Sequence, residues 1–215
     1  LLIPDMHNPH YWQIVHGVEE AAREQGYDLL LVSTSLDPER EQHSVRALLR
    51  RRIDGLILLL TFGDRLTSEI EMLARRHGPV VLLGGQMPDL DTVDPDYGGG
   101  AAQMMEHLLS LGHRRIAFIH GVACPTLGLG RLVMYRQVLQ KHGGVNEDWI
   151  IRCGSTLEDG YQATLRLLDL SPRPTAILVV NDLLAIGALR AVADRGLRVP
   201  EDISIAGFDD IDVAA

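Results

Sequence analysis

One pattern constrains this chain more than any other. Short apolar runs alternate, from one end to the other, with longer segments whose apolar residues recur at helical spacing. Continuous apolar runs fit strands covered on both faces, and recurrence at three and four residues fits amphipathic helices. Asn8 followed by Pro9 reads as a cap and first position of a helix carrying Tyr11, Ile14, Val15, Val18 and Ala22, ended by Gly26. A strand follows over Asp28 to Ser33. Asp37 and Pro38 repeat the cap signal before a stripe of Val45, Leu48, Leu49 and Ile53. Leu56 to Leu60 reads as a strand, Ile70, Leu73 and Ala74 as a third helix, and Val80 to Leu83 as a further strand.

The rhythm breaks between Gly84 and Gly100. That stretch is rich in Gly, Pro and Asp and holds little more than Val93 as a short strand. It marks a boundary between an N-terminal lobe, residues 1–95, and a C-terminal lobe, residues 96–215. The alternation then resumes. Helix Ala101 to Leu111 leads to strand Ile116 to Ile119, and helix Leu129 to His142 to strand Trp149 to Arg152. Helix Asp159 to Leu170 leads to strand Ala176 to Val180, and helix Leu183 to Arg195 to strand Ile203 to Ala206. Strands joined by helical crossovers form parallel sheets with helices on both faces, so the expected class is α/β in two similar lobes. Ligands of open parallel sheets sit beyond the carboxyl ends of the strands. Asn181, Asp182 and Asp209 fall at such ends.

Composition excludes several functions. A net charge of −9 on 215 residues is a poor match for phosphate backbones. Arg50, Arg51 and Arg52 cluster at a helix end, where they complement its dipole. Two cysteines, Cys124 and Cys153, form neither a CxxC nor a zinc pattern, which fits free thiols in a reducing compartment. The nine histidines include no HExxH, so no metal site is expected, and His113, after Gly112, reads as solvated. The single lysine, Lys141, lies late in a helix, so neither a Walker phosphate loop nor a Schiff-base site is present. The longest apolar run is far short of the roughly 20 residues that span a membrane.

Other motifs have two readings each. Gly128 and Gly130 in LGLGRL lack the third glycine of a dinucleotide fingerprint. Gly98, Gly99 and Gly100 open a helix; they either admit an anion or let the helix pack closely on a sheet. Asp209 and Asp210 read as a catalytic pair, a ligand acceptor or a turn. Adjacent side chains diverge, which disfavours the pair and leaves Asp209 for a ligand and Asp210 for the turn. His10 and Tyr11 read as helix-start packing or as a stacking surface for a ring. Arg131 reads as a solvated charge or as an inward donor.

Together these segments resemble a known family. RPTAILVVNDLLAIGALRAVADRGLRVPEDISIAGFDDI, from Arg173 to Ile211, closely resembles the effector-binding domain of LacI-type transcriptional regulators. IPDMHNPHYWQIVHGVEEAAREQGYDLLL, RRIDGLILL, HLLSLGHRRIAFIHG and GRLVMYRQVL match it in order and spacing. The resemblance implies a periplasmic-binding-protein-like type I fold. It implies a cytoplasmic homodimer whose lobes enclose a small effector, a sugar or a nucleobase-like molecule, with no enzyme activity, no cofactor and no membrane. It places ligand contacts at His10, Tyr11, Arg131, Asn181 and Asp209. Ser155 stands where relatives often have an aromatic, and Gly84 where they often have Asp or Asn; both changes remove contacts.

In that family a helix-turn-helix precedes the domain and binds operator DNA, and a C-terminal segment returns to the first lobe. Neither is present between Leu1 and Ala215, so the chain is expected to be part of a longer regulator. The alternative is a periplasmic sugar-binding protein of a transport system, which shares the two-lobe architecture.

Overall fold

The computed structural model describes every residue except 49, 86, 88, 122–128 and 215. Leu49, Cys124 and Gly128 thus lie outside the described residues. The chain divides into two compact units, Leu1–Pro95 and the chain from Asp96 onward.

The first unit runs β1 (Leu2–Ile3), α1 (Pro9–Glu24), β2 (Val32–Ser33), α2 (Pro38–Leu48), β3 (Leu56–Leu58), α3 (Thr67–His77), β4 (Val80–Leu83) and β5 (Asp91–Val93). Its sheet has the order β2-β1-β3-β4-β5, with parallel neighbours. The caps form as their residue types dictate. Asn8 Oδ1 accepts the His10 N–H at 3.0 Å, and Asp37 Oδ1 accepts the Arg40 N–H at 2.8 Å. Leu2, Leu58, Leu82, Val45, Ile70 and Leu73 meet in the core. Buried Glu41, in the first turn of α2, accepts the Thr61 N–H at 2.7 Å and the Phe62 N–H at 2.8 Å. That contact ties down the chain leaving β3.

Two strands are shorter than their apolar runs. The run expected from Asp28 is a strand only at Val32–Ser33, which pair with Leu2 and Ile3, while the Leu1 amine donates to the Leu30 carbonyl at 2.8 Å. β3 ends at Leu58. The first helix departs further: α1 carries the expected apolar stripe but buries none of its residues.

The second unit runs α4 (Tyr97–Ser110), β6 (Ile116–Gly121), α5 (Leu129–Lys141), β7 (Ile150–Cys153), α6 (Leu157–Leu168), β8 (Ala176–Val179), α7 (Asp182–Asp194) and β9 (Ser204–Ala206). The strand order is β7-β6-β8-β9, again with parallel neighbours. Every residue of β8 is buried, as the continuous apolar run requires. The Tyr135 ring packs on Phe118 at 5.1 Å, and its hydroxyl donates to the Ile116 carbonyl at 2.7 Å.

Three glycines open α4, and their role is now specific. Asp96 caps the helix by accepting the Gly99 N–H at 2.7 Å, so the helix starts at Tyr97 rather than Ala101 and its N-terminus holds the chain's own carboxylate. Gly98 lies against Met134 of α5 and Gly100 against the Phe208 ring, so the close packing is not against a sheet. α6 and α7 also approach closely. A Cβ on Gly160 would strike the Leu184 backbone, and one on Gly187 would strike the Leu157 backbone.

His113 is not solvated as its flanking residues suggested. It is half-buried, with Nδ1 2.9 Å from Thr175 Oγ1 and Nε2 3.1 Å from Ser204 Oγ, so it ties the start of β9 to the residue before β8. Burial holds its pKa below the ordinary histidine value.

Two outcomes are expected. Gly187→Ala should destabilise the second unit by about 1–3 kcal/mol through overpacking, read by denaturant unfolding; an unchanged midpoint would contradict the close α6–α7 crossing. His113 binds a proton less readily folded than unfolded, so its contribution to stability is complete above an unfolded pKa of about 6.5 and declines as pH falls below that. Melting temperature should therefore drop between neutral and mildly acidic buffer, and less so in His113→Asn. Equal drops in both proteins would remove His113 as a cause.

Candidate ligand site at the carboxyl ends of the strands

Both sheets place the first strand of their unit beside the third and put the second on the other side of it. In doubly wound sheets, a reversal of this kind opens a crevice beyond the strand ends. In the first unit it falls between β1 and β3. In the second it falls between β6 and β8.

In the first unit, β1 leads through Pro4 and Asp5 to α1, which presents His10 and Tyr11 in its first turn. Their rings meet edge to face, with centroids 5.5 Å apart. The turn before them is braced: Asp5 Oδ1 accepts the His7 N–H at 3.0 Å, and the Trp12 indole N–H donates to the Met6 carbonyl at 3.1 Å. His10 and Tyr11 thus stand on a fixed backbone at a strand exit, as the sequence placed them.

In the second unit the structure brings Arg131 and Asp209 together. Arg131 lies in the first turn of α5 and Asp209 follows β9. Arg131 Nη2 is 3.9 Å from Asp209 Oδ1, and the two side chains are only 7% and 5% exposed. The central carbon of the guanidinium lies 3.9 Å from the Tyr97 ring centroid and 4.8 Å from that of Phe208, so both ring faces attract the cation. A donor-only guanidinium beside an acceptor-only carboxylate suits a hydroxyl, which accepts from one and donates to the other.

Asn181 has a different principal task. Its side-chain oxygen accepts the Leu184 N–H at 3.0 Å and caps α7. The two adjacent acids diverge as expected: Asp209 is buried by its side chain, whereas Asp210 is exposed at φ 52°, a turn position.

Sequence reasoning missed Tyr97 as a partner of Arg131. Its signal was slight, an aromatic directly after a capping aspartate. His120 was also missed. It is buried near the end of β6, stacked on Phe118 at 6.1 Å. Burial, then Arg152, Arg131 and Arg136, keep its pKa below the ordinary value. The Cys153 thiol is no nucleophile: burial, then Asp159, push its pKa up to about 12.

Comparison with known proteins identifies the family of the fold. Residues 1–215 match the family of periplasmic binding proteins and sugar binding domains of the LacI family. The chain is 35% identical over 213 residues to the transcriptional regulator DegA of Bacillus subtilis, covering 97% of this chain and 63% of that protein. It is 31% identical over 212 residues to the HTH-type transcriptional repressor PurR of Haemophilus influenzae, covering 98% and 63%. The chain thus spans 63% of the length of each of these curated relatives. A solved structure of the regulator CelR with cellobiose superposes with a TM-score of 0.84 at 31% identity, over 99% of this chain and 67% of that one. The chain belongs to the family of periplasmic binding proteins and LacI-type sugar-binding domains.

Proposed function

We propose that this chain is the effector-binding and dimerisation region of a LacI-type transcriptional regulator, and that its effector is a sugar. The observation that carries the effector reading is the buried Arg131 guanidinium, close to the Tyr97 and Phe208 rings with Asp209 beside it. Paired donor and acceptor groups next to aromatic faces recognise a polyhydroxylated ring. The CelR–cellobiose complex supports the same chemistry. His10 and Tyr11, at the strand exit of the first unit, are ligand contacts of that unit in the same reading. Asn181 contributes its amide N–H groups while its oxygen caps α7.

Relatives named as transcriptional regulators favour this reading over a periplasmic transport protein. They also favour binding over catalysis. Among the described residues no helix is long and apolar enough to cross a membrane. Our reading is of a cytoplasmic protein that engages operator DNA through a domain outside this chain. Effector binding shifts operator affinity only through its differential affinity for two states, and a coupling of about 1–3 kcal/mol is typical.

The dimer reading rests on the first unit. α1 turns Ile14, Val15, Val18 and Ala22 along one stripe yet buries none of them, and Trp12, Tyr27 and Leu30 are exposed nearby in sequence. A second copy of this chain covers that apolar face.

Two experiments test these assignments. A panel of mono- and disaccharides, screened by thermal shift and followed by calorimetry, should identify a binder. Asp209→Asn should weaken that binder at least about tenfold, because a charge-assisted hydrogen bond contributes about 1.5–3 kcal/mol; unchanged affinity would remove Asp209 from the site. Analytical ultracentrifugation should show a dimer at micromolar concentration, and Val18→Glu should shift it to monomer. A monomeric parent protein would overturn the α1 interface.

A further inference from the structure

We infer that Asp182 is the positioning residue that sets the conformation of the loop bearing Asp209, and so the aim of its carboxylate. Asp182 follows β8 and opens α7. It touches the loop after β9 at both ends. Its N–H donates to the Phe208 carbonyl at 2.7 Å, and its Oδ2 accepts the Ile211 N–H at 3.1 Å. The two residues between those anchors, Asp209 and Asp210, have φ values of 106° and 52°. L-residues seldom adopt this region, and they persist there only when their surroundings over-determine it.

The remaining carboxylate oxygen of Asp182 lies against Gly207. A Cβ built on Gly207 would collide with Asp182 Oδ1 and would stand 3.3 Å from the Ala185 Cβ. Gly207 is therefore the space into which the Asp182 carboxylate fits. One buried carboxylate thus holds the strand exit from the Gly207 side and from the Ile211 side. Phe208, whose carbonyl is held, also supplies one of the two rings on Arg131. Asp182 acts on both members of the Arg131–Asp209 pair through the backbone, without contacting a ligand.

This inference rests on Asp209 being a ligand group for its functional meaning, but its structural claim is tested separately. Backbone chemical shifts and amide exchange over residues 207–211 are to be compared in the parent chain, Asp182→Ala, Asp182→Asn and Gly207→Ala. In Asp182→Ala the positive-φ shift pattern of Asp209 and Asp210 should be lost, and the Ile211 amide should exchange about tenfold faster relative to amides of β8. Asp182→Asn keeps an acceptor oxygen and should restore both. Gly207→Ala leaves Asp182 in place but displaces its carboxylate, and should reproduce the alanine effect; it decides the matter if Asp182→Ala does not fold. Retained shifts and protection in Asp182→Ala or Gly207→Ala would overturn the inference. For a sugar that the parent chain binds, affinity should fall about tenfold in Asp182→Ala and return in Asp182→Asn. If no sugar binds the parent chain, the effector reading fails, while the loop measurements still decide the role of Asp182.

Discussion

A guanidinium buried from water is the constraint around which the second unit is arranged. Removing an isolated ion from water costs several kcal/mol even after the surroundings relax. Arg131 meets that cost with two aromatic faces and a carboxylate. Each partner imposes a condition on the chain that supplies it. Tyr97 must be the first residue of α4, which the Asp96 cap ensures. Phe208 and Asp209 must leave β9 in consecutive positions with their side chains near one group. That in turn requires backbone at positive φ and glycine at 207, where Asp182 already occupies the neighbouring space. A buried ion pair is weak evidence for stability in itself. Its presence at a strand exit, where the fold places ligands, points to recognition instead.

The two units execute one plan differently. Each sheet starts in its interior, steps outward once, and then proceeds in the opposite direction. In the second unit α4 pairs with α5 and α6 with α7, and every helix contributes buried residues. In the first, α2 and α3 supply the core side chains while α1 contributes none that is buried. An amphipathic helix left with its stripe half-covered has not completed its burial within the described residues. The apolar periodicity of α1 identified an amphipathic helix, but the described residues do not bury its stripe.

Periodicity made most of the fold legible. Val80–Leu83 forms the strand read from its apolar run, and the Asn8–Pro9 and Asp37–Pro38 signals start helices where the capping chemistry demands. Boundaries failed where a partner outside the segment decided them. The run from Asp28 forms a strand only at Val32, where it pairs with Leu2 of β1. α4 begins earlier than its apolar stripe, because a carboxylate before the glycines caps it. The site was legible by position and less so by role. The family resemblance implied Arg131 and Asp209 each as a ligand contact; the structure adds that their side chains lie together, and that Asn181 carries a cap its strand-end position did not reveal. Tyr97 and His120 were invisible for the same reason: a side chain becomes a site residue through what it packs beside, and no spacing encodes Tyr97 against Arg131.

Adjacent Asn or Asp residues at two strand exits show how far local geometry decides what each side chain does. Asn181–Asp182 and Asp209–Asp210 are similar as text. At the first exit the helix begins at once, so one side chain caps it and the other turns back toward β9. At the second the backbone passes through positive φ, so one carboxylate is buried against Arg131 and the other is left in solvent. A non-glycine residue held at left-handed φ carries about 1–3 kcal/mol of strain. That is the same magnitude as a typical coupling between an effector and a distant site. On the proposed function, a ligand that engaged Asp209 would act on a segment whose conformational energy is comparable to such a coupling, and the strand exit would be both a contact point and a place where binding free energy is converted into a change of backbone state.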